Sequence, residues 1–321
     1  MSKFLKIGCL TIIVLFFIGL AFIAGMGVGA IASTVGESEK ATLHKKLLEG
    51  AGDNQVAFLS LDGVILTSPS TNPLSVAEGT ITPQEVGQTL SLILEDESIK
   101  AVILSINSPG GSAVASDEIY QHIKNTAAKK PVIMLLGDTA ASGGYFIASA
   151  GNYIFVNPAT LTGSIGVIAE ITDVQELFKK IGLKQETYKS GEFKDLFSGT
   201  RLRTPQEQAM IQELLDTTYG LFVRRVAEGR KMEIDKVLQL ADGKIYSGVK
   251  AKELGLIDEL GYRHDAFEKA KQLAGIKEAE LIGISTKSFI ESLFGQIRGI
   301  NPLSVYLPQV FSAPGVKYLY K

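Results

Sequence analysis

Four short apolar runs punctuate the chain: Gln55 to Leu61 (QVAFLSL), Ala101 to Asn107 (AVILSIN), Pro131 to Gly137 (PVIMLLG) and Tyr153 to Asn157 (YIFVN). Between them, Thr82 to Asp96 and Val114 to Ala128 carry apolar residues at helical spacing. Short continuous apolar runs suit strands buried on both faces, and a helix between two such strands lets the second run parallel to the first. The alternation therefore predicts βα crossover units packed on a mostly parallel sheet.

Two helix starts carry the same four residues, Thr82-Pro83-Gln84-Glu85 and Thr204-Pro205-Gln206-Glu207. In each, the threonine can cap, the proline fits the first turn, and the glutamate three residues on completes a capping box. The second opens a long helix, Thr204 to about Arg230, with Met210, Ile211, Leu214, Leu215, Leu221, Phe222 and Val226 in a broad apolar stripe. Such a stripe packs in a core or against a partner subunit.

The amino-terminal end reads differently. Ile7 to Gly36 holds no charged residue, and its core, Ile7 to Ala24, would form a helix roughly 27 Å long, close to the hydrocarbon thickness of a bilayer. Lys3 and Lys6 precede it and nothing basic follows until Lys40, which predicts a cytoplasmic amino terminus and an extracytoplasmic body. The run exceeds the usual signal-peptide apolar core, so an uncleaved single-pass anchor in the cell membrane is expected, although the small residues of Gly25 to Thr34 could hold a cleavage site. The expected organisation is a cytoplasmic stub and anchor over 1–36, a charged spacer with a short helical pattern over 37–54, a catalytic domain over 55–285, and a carboxyl-terminal segment over 286–321.

Of 321 residues, 32 are basic and 34 acidic, so no strong field attracts nucleic acid. The one cysteine, Cys9, lies in the apolar run, leaving the body without a disulfide or a thiol nucleophile. His44, His122 and His264 show no metal-ligand spacing and lie in no glycine-rich turn, which weakens a Ser-His-Asp triad and any metal centre. No cofactor is expected.

Three glycine-containing segments could carry chemistry. Asn107-Ser108-Pro109-Gly110-Gly111 joins a strand to a helix and could present backbone N–H groups to an oxyanion, or be an ordinary tight turn. Asp138 to Tyr145 (DTAASGGY) would put Ser142 at a helix start among small residues, as a nucleophile or as a plain cap. Lys189 to Phe197 (KSGEFKDLF) sets two lysines among aromatic and acidic residues. A lysine needs desolvation before it can accept a proton near neutrality, and Phe193, Leu196 and Phe197 could supply it.

Taken in order, NSPGG (107–111), DTAASGGY (138–145), LTGSIGV (161–167), KSGEFKD (189–195) and ADGKIYSGVKAKELGLIDELG (241–261) resemble the signal peptide peptidase A family in its short, single-unit form. These are membrane-anchored serine proteases of the ClpP/crotonase-like superfamily. The resemblance implies repeated ββα units, Ser142 as nucleophile, Lys194 as general base in preference to Lys189, and Ser164 as the residue that orients the lysine. It also implies Gly110 and Gly111 as oxyanion donors, with Gly143 as a further one. Implied partners are peptide substrates such as cleaved signal peptides, the lipid bilayer through the amino-terminal helix, and further copies of the chain in a ring. A crotonase-like acyl-CoA enzyme shares the fold but needs neither anchor nor serine in that turn, and an inactive scaffold would be expected to lose Ser142 or Lys194.

Overall fold

A computed structural model describes residues 42–69 and 79–285, and the backbone of 317–319. The expected anchor over 7–24 lies outside the described residues, among which no helix is long and apolar enough to cross a membrane.

In chain order the strands are β1 (His44–Ala51), β2 (Gln55–Asp62), β3 (Val64–Ile65), β4 (Thr80–Ile81), β5 (Ile99–Ser108), β6 (Gly110–Ser112), β7 (Val132–Ala141), β8 (Tyr153–Val156), β9 (Leu161–Gly163), β10 (Ile245–Ser247), β11 (Glu259–Leu260), β12 (Ala279–Ser285) and β13 (Lys317–Leu319). The helices are α1 (Pro83–Glu95), α2 (Ala113–Ala127), α3 (Gly143–Ala148), α4 (Gln175–Lys180), α5 (Pro205–Arg230), α6 (Ile234–Leu240), α7 (Gly248–Glu253) and α8 (Arg263–Ala274).

The main sheet runs β1-β12-β2-β5-β7-β8-β11, with β9 beside the end of β7 and β10 beside β9. Pairings from β12 through β11 are parallel, whereas β1 with β12 and β10 with β9 are antiparallel. The apolar runs read from the sequence are the central strands. Along β5, Val102, Leu104 and Ile106 face one core with α1 and α2, and Ala101 and Ile103 face the other with Ala266, Phe267 and Ala270 of α8. The period-two alternation thus feeds two cores, which is why the run looks continuously apolar in sequence. This is an α/β architecture with a mostly parallel sheet. The segment β5-β6-α2 is one of the expected ββα units.

Both Thr-Pro-Gln-Glu sequences open helices. Thr204 closes a full capping box with Glu207, and Thr82 Oγ1 accepts the backbone N–H of Glu85. Only the second half of the α5 stripe is buried, through Phe222, Val223, Val226 and Ala227; Leu214 is 48% exposed.

Residues 37–54 are not only a spacer. His44–Ala51 forms β1 against β12, with His44 opposite Ser285 and Ala51 opposite Ala279. Its side chains are almost all exposed, so it has no apolar alternation to read, and its lysines and glutamate mimic a solvated helix. The backbone ladder to β12 makes it a strand, with Lys45 Nζ reaching Asp96 at 2.6 Å and Gln55 at 2.7 Å.

Candidate active site

The site is assembled where β5 and β7 end. β5 runs to Ser108 and turns through Pro109 into β6; Asn107 Oδ1 accepts the backbone N–H of Thr139 at 3.2 Å, tying the first glycine turn to the second. Ser142 follows β7 and opens α3 with φ 52° and ψ −118°, a left-handed conformation that L-residues rarely adopt. Strain of that kind at a strand-to-helix turn lifts a serine out of the helix and is characteristic of a nucleophile. Ser142 is 1% exposed, and its Oγ has no hydrogen-bond partner, so it does not cap α3. The plain-cap alternative is therefore set aside.

The two turns meet through their glycines. A Cβ built on Gly143 would lie 2.7 Å from Ser116 Oγ, 3.1 Å from Gly110 Cα and 3.2 Å from Gly111 N. One built on Gly111, whose φ is 155°, would lie 2.0 Å from the Ile65 carbonyl oxygen, and one on Gly144 would lie 2.6 Å from that of Ser108. No side chain fits at these positions, which explains the doubled glycines in sterics alone. The structure thus brings Ser142, Gly110, Gly111 and Gly143 together.

The donors are not equivalent. The N–H of Gly110 donates to buried Ser108 Oγ at 3.1 Å and is already committed. Gly143 N–H lies in the first turn of a helix, where N–H groups have no intrahelical acceptor. Ser108 had no separate signal in the sequence, since a spacing does not show which N–H groups are spoken for.

Helix α3 is fixed from behind. The Tyr145 hydroxyl donates to the Leu256 carbonyl at 2.6 Å, and its burial pushes the phenol well above its ordinary pKa. Phe146 packs edge-on to Tyr120 of α2 (centroids 5.6 Å apart) and against Phe222 of α5 (5.0 Å). Aromatic pairs of this kind add about 0.5–1.5 kcal/mol each beyond the area they bury.

Ser164 stands next door. It has φ 49°, is 8% exposed, and donates its N–H to the Lys244 carbonyl at 2.7 Å. With Val167, Leu215, Tyr219, Asp242 and Ile245 it lines a cleft of about 640 Å³.

Lys194 is placed differently. Its segment, 191–197, is a series of turns in which Leu196 is buried while Lys194 is exposed. Because Ser142 Oγ has no partner, the two are not hydrogen-bonded. The neighbouring lysine is held by its own segment: Lys189 Nζ donates to Asp195 Oδ1 at 2.6 Å and to the Glu192 carbonyl at 2.7 Å. Asp195 in turn receives Arg201 through Nε at 2.8 Å and Nη2 at 2.7 Å, and Arg201 Nη1 reaches Glu207 at 2.8 Å. Arg201 and then Lys189 hold the Asp195 carboxyl far below the carboxylate range; Arg201 and the Thr204 N–H hold Glu207 at about 2. Asp195 is thus paired with Lys189 and Arg201, and Lys194 forms no ion pair among the described residues. The chain of ion pairs also ties the Lys194 segment to the start of α5. No cluster of three or more His, Cys, Asp or Glu suited to a metal occurs among the described residues.

Residues 124–277 match the sequence model of Peptidase family S49, and residues 78–162, which hold both glycine turns, match that of Clp protease. An Enterococcus faecium protein named as a signal peptide peptidase of the SppA type is 37% identical over 255 residues, 78% of this chain and 74% of its own. Proteins of Methanocaldococcus jannaschii and Synechocystis sp., both named as proteases, are 39% identical over 59% of the chain and 42% identical over 57%. The chain spans 60% and 66% of those two proteins' lengths.

Proposed function

Because the chain belongs to peptidase family S49, a family of serine peptidases, we propose that it is a membrane-anchored serine endopeptidase using a Ser142–Lys194 dyad. Its proposed substrates are remnant signal peptides and other peptides at the membrane. The observation that carries the reading is Ser142 itself: a buried, unpartnered hydroxyl on a strained strand-to-helix turn, set against a glycine turn that no side chain can enter.

The chemistry is acyl transfer. Ser142 Oγ attacks a peptide carbonyl while Lys194 Nζ takes its proton, and the resulting oxyanion is held by the N–H groups of Gly111 and Gly143. Collapse of the tetrahedral intermediate breaks the C–N bond, and the lysine returns the proton to the leaving amine. Water then cleaves the acyl-enzyme with Lys194 again as base. Ser164, whose turn adjoins Ser142, orients the amine.

Lys194 is exposed, and a lysine serves as a general base near neutrality once it is desolvated. In this reading, assembly of copies into a ring, together with bound substrate, covers the 191–197 segment and closes the dyad. The apolar run over 7–24 holds the assembly at the bilayer with the catalytic body on the extracytoplasmic side.

A fluorogenic peptide assay on detergent-solubilised full chain tests the activity. Hydrolysis that disappears in Ser142→Ala and in Lys194→Ala supports the dyad; a folded wild type that cleaves nothing, or a variant that keeps full activity, overturns it. Protease accessibility of residues after 36 in sealed vesicles tests the orientation.

A further inference from the structure

The turn that would hold the oxyanion is made of residues that do little to fix themselves. Pro109 has no N–H, and Gly110 and Gly111 stand at φ 103° and φ 155°, in a region where glycine has wide freedom. One side chain limits that freedom. Ser108 is wholly buried, and its Oγ accepts the Gly110 N–H at 3.1 Å, closing a local turn from serine to the second residue on. Its backbone belongs to the central sheet, opposite Ala140 of β7. Its carbonyl oxygen and Cβ also lie against α3, 2.6 Å and 3.3 Å from where a Cβ on Gly144 would stand. Ser108 thus joins the end of β5, the start of α3 and the glycine turn. With the Gly110 N–H directed at Ser108, the next one along is that of Gly111, whose nitrogen lies 3.2 Å from the Cβ position of Gly143, beside the nucleophile.

We infer that Ser108 is a positioning residue of this active site: without touching substrate, its hydroxyl takes up the Gly110 N–H and so fixes the Gly111 N–H as the turn's oxyanion donor. The inference rests on the protease reading for its chemistry, while the hydrogen bond stands apart from it. An oxyanion donor acts only when it is aimed at the place where charge develops, and a misplacement of about 1 Å costs on the order of 10²-fold in rate. Without the hydroxyl, the buried Gly110 N–H loses its acceptor, and the two glycines have room to turn until it finds another. The Gly111 N–H turns with them. A contact that tightens as the carbonyl becomes tetrahedral affects the transition state and leaves ground-state binding alone. The loss of Ser108 Oγ therefore lowers kcat and leaves KM in place.

The test compares Ser108→Ala with Ser149→Ala in detergent-solubilised full chain. Ser149 is equally buried and its Oγ donates to the Phe146 carbonyl at 2.7 Å, but it lies at the far end of α3, so it controls for the general cost of deleting a buried hydroxyl. With a fluorogenic peptide, Ser108→Ala should lower kcat by roughly 10- to 100-fold with KM within about twofold, and Ser149→Ala should change neither by more than about threefold. A peptide aldehyde, which adds to Ser142 Oγ and places its oxygen where the oxyanion forms, should inhibit Ser108→Ala more weakly by the factor lost from kcat/KM. The matching peptide alcohol has no carbonyl and should bind parent and variant alike. Equal kcat losses in the two serine variants, or aldehyde and alcohol affinities that fall together, reduce Ser108 to a packing residue and overturn the inference. Hydrogen exchange over 107–112, read by mass, should be faster in Ser108→Ala than in Ser149→Ala; equal protection overturns the anchoring of the turn. If no form hydrolyses a peptide yet the exchange difference is present, the protease reading fails and the hold of Ser108 on the glycine turn survives.

Discussion

The backbone N–H of Ser142 donates to the carbonyl of Gly163 at 2.8 Å, continuing the parallel ladder in which Ala141 lies opposite Gly163. That bond sets two serines side by side at adjacent strand ends, Ser142 with φ 52° and Ser164 with φ 49°. Among the described residues the other non-glycine with positive φ is Lys231, a left-handed cap at the end of α5. Backbone strain in this protein is concentrated where the chemistry is proposed.

Substitutions at the lysines should separate sharply. Lys194→Ala and Lys194→Arg are expected to lower kcat by at least about 10³-fold, as for loss of a general base, with the melting temperature unchanged because the side chain is exposed. Lys189→Met breaks the contact to Asp195 and is expected to cost less than about tenfold. Peptidase kinetics beside thermal melts give both numbers, and a Lys189 variant as inactive as Lys194→Ala would reverse the assignment.

Glycine substitutions should rank by what a methyl group meets. Gly182 has φ 71° with nothing within 4 Å of its Cβ position, so Gly182→Ala should cost only about 1–2 kcal/mol of backbone strain. Gly111→Ala drives its Cβ to 2.0 Å from the Ile65 carbonyl oxygen and should cost about 3 kcal/mol or more together with the activity. Chemical denaturation of the two variants checks the order.

Removing the Tyr145 hydroxyl tests the support behind α3. Tyr145→Phe keeps the ring but leaves the buried Leu256 carbonyl unpaired, for an expected loss of about 1–3 kcal/mol. The melting temperature should fall by several degrees while the rate falls less than about tenfold, since the nucleophile keeps its turn. A stability unchanged in Tyr145→Phe would mean that the carbonyl finds another donor.

The Asp195–Arg201–Glu207 chain carries a pH signature. Both carboxyls are lowered in the folded protein, so their contribution is complete above the ordinary carboxylate range and is lost as pH falls, for Glu207 between about 4.5 and about 2. Arg201→Met should lower the melting temperature near pH 7, and the gap to the parent should close as pH drops through that window. A gap that stays constant to pH 2 would exclude the ion pairs as its source.

The central strands were legible because each feeds two cores, so β2, β5, β7 and β8 are written in nearly unbroken apolar residues. β1 was not, since its stability comes from main-chain bonds to β12 under a polar surface, and β3, β4 and β6 are too short for any periodicity. At the site, Ser142 and its glycines could be read from motifs alone. The commitment of Gly110 N–H to Ser108, and the exposure of Lys194 beside the buried Leu196, depend on how loops pack, which local sequence does not encode.

The order β1-β12-β2 has a consequence for how the chain reaches this state. β1 and β2 are separated by three residues, a spacing that would let them close as a hairpin the moment they are synthesised, yet in the finished sheet they are not paired with each other. Strand β12, made more than two hundred residues later, lies between them, antiparallel to one and parallel to the other. A ladder of such long sequence separation forms slowly, because the loop it closes must be ordered first. During synthesis the exposed edge of β2 therefore waits for its partner, and premature pairing of the first two strands is the misfolded form that this topology makes most accessible.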